Sequence, residues 1–152
     1  MRAGEGARRA AGPFLLLLAL LSAVGALASE SGTFYVSDIK AATSSHIASK
    51  ERGDGVFPLI DDETGEDLEL RFVTIHDPVR VIDEATYFAC TDFHVDGAEE
   101  QVYDIDFWLR PAGDALEVFR VRVHKEPRRS LLWGWYKHPR YTFVDDAVVP
   151  LY

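Results

Sequence analysis

Six side chains carry most of the chemistry this sequence offers: Asp104, Asp106 and Trp108, then Arg120, Arg122 and His124. Within each triplet the spacing is two residues, so an extended backbone projects all three members to one side. Two carboxylates near an imidazole and two guanidinium groups have two readings. One is a polar cleft in which a carboxylate and His124 act as an acid and base pair or orient a ligand. The other is a solvated sheet face whose charges pair with one another. Trp108 argues for the cleft, because a large aromatic among charges is less expected on a wet face than Thr or Lys. Asp92 and His94 join the set if the register permits. A turn built on Asp96-Gly97 alone sets Asp104 opposite Ala89, whereas a longer loop through Glu99 sets it opposite Asp92.

Other chemistry lacks a local foothold. The sequence has no GxSxG, no HExxH, no phosphate-binding Gly loop and no Cys/His spacing suited to zinc. His76-Asp77 with Asp92-x-His94 offers metal-ligand residue types on separate strands, but the pattern has low specificity and reads as ordinary loop and strand-end polarity. The acidic run Asp61 to Asp67 lacks the ligand spacing of a calcium loop and reads as a charged hairpin turn. The single cysteine, Cys90, lies in the apolar segment Tyr87-Phe88-Ala89-Cys90 and reads as a small buried hydrophobe. No catalytic residue, metal or cofactor is therefore assigned.

A second candidate surface is Trp133, Trp135 and Tyr136, close to Arg128, Arg129, Lys137 and Arg140. Residues 29–109 hold 19 acids and 5 bases, while residues 110–152 hold 5 acids and 8 bases. Aromatic and basic residues gathered in the less acidic part are the types enriched in contact surfaces. Alternatively, Trp133 and Trp135 fold back to plug an open end of the sheet.

Residues 1–28 have the layout of an export signal: Arg2, Arg8 and Arg9, the apolar run Phe14 to Val24, then Ala26-Leu27-Ala28 as a cleavage site. The run is shorter than the roughly 20 apolar residues of a membrane-spanning helix. Residues 29–152 are then expected to form one domain. Removing a leader with three arginines and one glutamate takes the net charge from −9 to −11. That charge disfavours nucleic acid or an anionic membrane as partner. One cysteine leaves no internal disulfide, and no Asn is present to accept a glycan. Twelve Arg against four Lys fit a GC-rich bacterial genome, so the expected location is periplasmic or secreted.

These residues need elements to place them. Ser37 to Ser49 reads as a helix with a stripe at Ile39, Ala42, His46 and Ile47, stopped by Gly53. Gly55 to Ile60 and Leu68 to Phe72 flank the acidic turn as a hairpin. Pro78 marks a bulge, edge or strand end, with Val79 to Ile82 continuing beyond it. Thr86 to Val95, Gln101 to Leu109 and Leu116 to Lys125 follow as strands. A turn centred on Ala112-Gly113 would set Asp104 opposite Arg122, Asp106 opposite Arg120, Ile105 opposite Val121 and Phe107 opposite Phe119. Such charge pairs add roughly 0.2 to 1 kcal/mol each. Pro127 to Pro139 reads as an irregular connection, Arg140 to Val144 as a last strand, and Ala147 to Tyr152 as an apolar tail.

The expected fold is α+β: one N-terminal helix packed on a curved antiparallel sheet of four to six strands, with a small β-barrel as the alternative. This order resembles the cystatin-like and nuclear-transport-factor-like small domains. Tyr87 to Phe93, Tyr103 to Trp108 and Val123-His124-Lys125 are also similar to stretches of uncharacterised exported bacterial proteins, which implies export and carries over no functional residue. The expected function is a binding module for an unknown protein or small ligand of the cell envelope. It would use Asp104, Asp106, Trp108, Arg120, Arg122, His124, Trp133, Trp135 and Tyr136. A small cone-type enzyme with an Asp/His pair on the sheet face, and a purely structural envelope protein, are the alternatives.

Overall fold

The computed structural model describes residues 33–83 and 85–152; the expected leader, residues 1–28, lies outside them. Helix α1, Val36–Lys50, begins where the Asp38 carboxylate accepts the backbone N–H of Tyr35 at 2.7 Å, so Asp38 rather than Ser37 organises its start. Its buried stripe is Ile39, Thr43 and Ile47. Thr43 is admitted because its hydroxyl donates to the Ile39 carbonyl at 2.8 Å, which satisfies the polar atom inside the core.

Nine strands follow among the described residues: β1 (Phe57–Ile60), β2 (Asp67–Ile75), β3 (Arg80–Asp83), β4 (Thr86–Val95), β5 (Ala98–Ala112), β6 (Ala115–Ser130), β7 (Gly134–Pro139), β8 (Tyr141–Val144) and β9 (Ala147–Pro150). All pairings are antiparallel. The main sheet runs β1-β2-β4-β5-β6-β7, with β3 beside the first part of β4, and β8 and β9 form a separate hairpin. The chain is thus α+β, one helix on an antiparallel sheet that stays open rather than closing into a barrel. Pro78 ends β2, and β3 resumes alongside β4 beyond it.

The sheet has seven strands rather than four to six. Most of the difference lies at Pro127 to Pro139, which is not irregular: β6 continues to Ser130 and pairs with β7. Pairing of β6 with β5 ends at Lys125, so Pro127 sits where only one edge of β6 is laddered and its missing N–H is tolerated. The apolar tail also forms a strand, β9, joined to β8 by Asp145-Asp146, both at positive φ as a mirror-image two-residue turn requires.

Registers decide what meets what. The β5–β6 turn is Gly113-Asp114, with Gly113 at φ +64°, one residue later than expected. Two bulges then shift the ladder further. Asp104 lies opposite Lys125, Ile105 opposite Val123, Asp106 opposite Arg122, and Phe107 opposite Val121. The expected sides of the sheet survive because the net slip at Ile105 to Phe107 is two residues, an even number. Between β4 and β5 the turn is Asp96-Gly97, yet an irregularity at Glu99 to Gln101 restores Asp92 opposite Asp104.

One face of β4 and β5 presents Ala89, Phe93, Ile105, Phe107 and Leu109, all buried with Phe57, Leu70 and Val123 beneath α1. The opposite face is covered as well. Tyr141, Phe143 and Val148 of the β8–β9 hairpin close over Phe88 and Trp108 in a second, smaller cluster.

Candidate functional site

Beneath the C-terminal hairpin the second face carries a stripe of buried polar groups instead of a solvated surface. The Asp104 and Asp106 side chains are both 0% exposed. Each has been provided with partners by elements distant in sequence. Asp104 takes the Lys125 ammonium at 2.5 Å on Oδ2 and that of Lys137 at 2.6 Å on Oδ1. Lys137 also reaches Asp92 at 2.8 Å, and His76 Nε2 meets the same Asp92 oxygen at 2.8 Å. Burial alone would push the Asp104 carboxyl up, but the two ammonium groups outweigh it and hold it below the usual carboxylate range.

Asp106 is served differently. Tyr141 donates its hydroxyl to Asp106 Oδ2 at 2.6 Å. Burial, with the neighbouring carboxylate, pushes that phenol up, so it stays a donor. His124 stacks on the Tyr141 ring with centroids 4.6 Å apart, and its Nε2 lies 3.2 Å from the Tyr141 carbonyl oxygen. Cys90 is the cross-strand neighbour of Asp106. Burial and then the Asp106 charge push its thiol far up. Among the described residues, Asp106 Oδ1 and His124 Nδ1 are buried with no hydrogen-bond partner.

A bulge completes the Asp104 half of the stripe. Asp104 faces Lys125 while Ile105 faces Val123, so His124 is the extra residue of β6. Strict alternation already places His124 on the aspartate side and would send Lys125 to the other; the bulge brings Lys125 to the aspartate side as well.

The remaining candidate residues disperse. Trp108 is buried against Phe88 at 5.2 Å between centroids, with the Arg120 guanidinium 6.0 Å above its ring. Trp108 is thus a core residue of the second cluster, not the wall of an open cleft. Arg120 is exposed. Arg122 pairs with Asp62 at 2.7 Å and lies over Tyr141 at 5.0 Å. His94, the companion considered for Asp92, bonds the neighbouring Val95 carbonyl instead. Nearby, Arg140 joins Asp61 through two hydrogen bonds of 2.7 and 2.6 Å and Glu126 at 2.6 Å. Against the cost of burial, those bonds and two turn N–H groups bring the Asp61 carboxyl down to about 2.

Trp133, Trp135 and Tyr136 sit on the β6–β7 hairpin, away from this stripe. At its tip, Leu131, Leu132 and Trp133 are 106%, 85% and 82% exposed. The Ser130 hydroxyl accepts the N–H groups of Leu132 at 3.2 Å and Trp133 at 3.4 Å, which shapes the loop while leaving its apolar side chains outside. Trp135 is half-buried, and Tyr136 is exposed, its ring edge-on to His138 at 6.0 Å. Trp133 therefore does not plug the sheet.

Sequence reasoning missed Lys125, Lys137, Tyr141 and Cys90 as members of the polar stripe. Cys90 alone had a usable signal: the register that sets Asp92 opposite Asp104 also sets Cys90 opposite Asp106.

Fold and site together define a small α+β protein with a doubly covered sheet, a buried Asp/Lys/His/Tyr stripe and a protruding apolar hairpin tip. Comparison with family models, curated proteins and solved structures found no match. No helix among the described residues is long and apolar enough to cross a membrane.

Proposed function

We propose that this chain is an exported binding module that engages a partner protein through the tip of its β6–β7 hairpin. The observation that carries the reading is three consecutive large apolar side chains, Leu131, Leu132 and Trp133, displayed without cover at that tip. Monomeric surfaces scatter such residues singly, and a contiguous group marks an interaction site. Arg128 and Arg129 flank the tip, and Arg129 makes no ion pair among the described residues. Apolar anchors with an Arg rim suit a recess bordered by acidic groups on another protein. Export rests on the arrangement of residues 1–28, a basic start, an apolar run and a small-residue site.

The test replaces Trp133 with a photo-crosslinking residue and irradiates the protein in envelope extracts of its source cells. One discrete heterologous adduct, abolished by L131S/L132S and absent when the crosslinker is placed at the exposed Glu117, is expected. Adducts only with a second copy of the chain, or none, would show that the tip is not a heterologous docking site.

A further inference from the structure

The geometry points to a binding site for a divalent, zinc-like metal ion formed by Cys90 Sγ, an Asp106 carboxylate oxygen and His124 Nδ1. These three donors come from β4, β5 and β6 and lie within 4.8 Å of one another. Zinc binds thiolate at about 2.3 Å and imidazole or carboxylate at about 2.0 to 2.2 Å, which puts tetrahedral ligand atoms roughly 3.5 Å apart. His124 Nδ1 is 3.4 Å from Asp106 Oδ2, already at that spacing.

Two further observations point to a ligand here. Asp106 is wholly buried, yet among the described residues its Oδ1 has no hydrogen-bond partner, and the buried Nδ1 of His124 has none either. Buried polar atoms are rarely left this way, because an unsatisfied group costs about 1 to 3 kcal/mol. In addition, the outer contacts are those that ready metal ligands. His124 Nε2 donates to the Tyr141 carbonyl, which leaves the lone pair on Nδ1, and the Tyr141 hydroxyl fixes the carboxylate through Oδ2.

A neighbouring triad, His76, Cys90 and Asp104, is also compact, but two of its donors are occupied. His76 bonds Asp92, and Asp104 holds two lysine ammonium groups that would repel a cation. Beside this triad Arg122, which lies over the Tyr141 ring, is turned to Asp62 and Glu63, and Lys125 is held by Asp104. Three protein ligands leave one position of a tetrahedral ion for water or a small anion. A bound ion would join three strands and, through Tyr141, the C-terminal hairpin. This inference is independent of the hairpin-tip reading.

The test is titration of the chelator-treated, reduced protein with Co²⁺, followed by displacement with Zn²⁺. One equivalent of Co²⁺ should produce a thiolate-to-cobalt charge-transfer band that Zn²⁺ removes. Cys90→Ser should abolish the band, His124→Gln should weaken binding about 100-fold, and Tyr141→Phe, which loses only the outer contact, about 10-fold. His76→Gln should leave binding unchanged. Because variants in the stripe can fail to fold, the wild-type protein supplies a second measurement, in which Zn²⁺ should slow alkylation of Cys90. Absence of the band at one equivalent, an unchanged alkylation rate, or loss of binding in His76→Gln but not in His124→Gln would overturn the assignment.

Discussion

The two faces of β4 and β5 alternate residue by residue and are both buried, yet they are filled by different means. Under α1 the contacts are Phe93, Ile105, Phe107 and Leu109, and what matters there is volume. On the opposite face, Asp92, Asp104 and Asp106 occupy the adjacent positions, and what matters is whether each charge has its partner. The helix is laid on a surface that attracts any apolar cover. The C-terminal hairpin must bring specific groups, Tyr141 for Asp106, while β7 supplies Lys137 for Asp104. A face closed in this way tolerates few substitutions at its partners but holds its cover in one position.

The comparison can be broken at Phe107 first. Phe107→Ala leaves a cavity beneath α1 and should cost about 4 kcal/mol in urea unfolding; a loss under about 1 kcal/mol would show that the helix face is not close-packed.

The charged counterpart is Arg140, which clamps the β1–β2 turn to the start of β8. Arg140→Ala strands the buried Asp61 and should cost about 3 kcal/mol. A cost below that of an exposed substitution would mean that Asp61 finds water when Arg140 is gone.

Acid sharpens the same point. The Asp61 carboxyl is lowered from 3.8 to about 2 in the folded chain, so its contribution is complete above pH 3.8 and is lost as pH falls toward 2. The change amounts to about 2 kcal/mol. In the same direction, Asp104 and Glu126 are held low by their cationic partners. Urea midpoints measured from pH 5 to pH 2 should fall across that window, and the fall should shrink in Arg140→Ala.

The smallest effect on stability should come from the hairpin tip. Trp133→Ser, at a side chain in contact with solvent, should change unfolding by less than about 0.5 kcal/mol. A larger loss of stability would reveal a packing role for that tryptophan.

Much of this architecture was written in the residue pattern itself. The strict alternation of Tyr103, Ile105, Phe107 and Leu109 with Asp104, Asp106 and Trp108 determined a strand and assigned its two sides. Asp96-Gly97 and the Gly113 region determined the turns to within a residue, and Ile39 with Ile47 determined the inner side of the helix. Alternation reports sides because each peptide unit reverses the side chain, a local property of extended backbone. It does not report what lies on top of a side. Only the tertiary structure decided that the aspartate side would be closed by Tyr141, Phe143 and Val148 rather than left to water. Only the tertiary structure placed the β6 bulge that brings Lys125 to the same side as His124, where it meets Asp104. A one-residue bulge is settled by which register lets buried charges meet their partners, a free energy summed over β4, β5, β6 and β7 at once, and no single segment contains it.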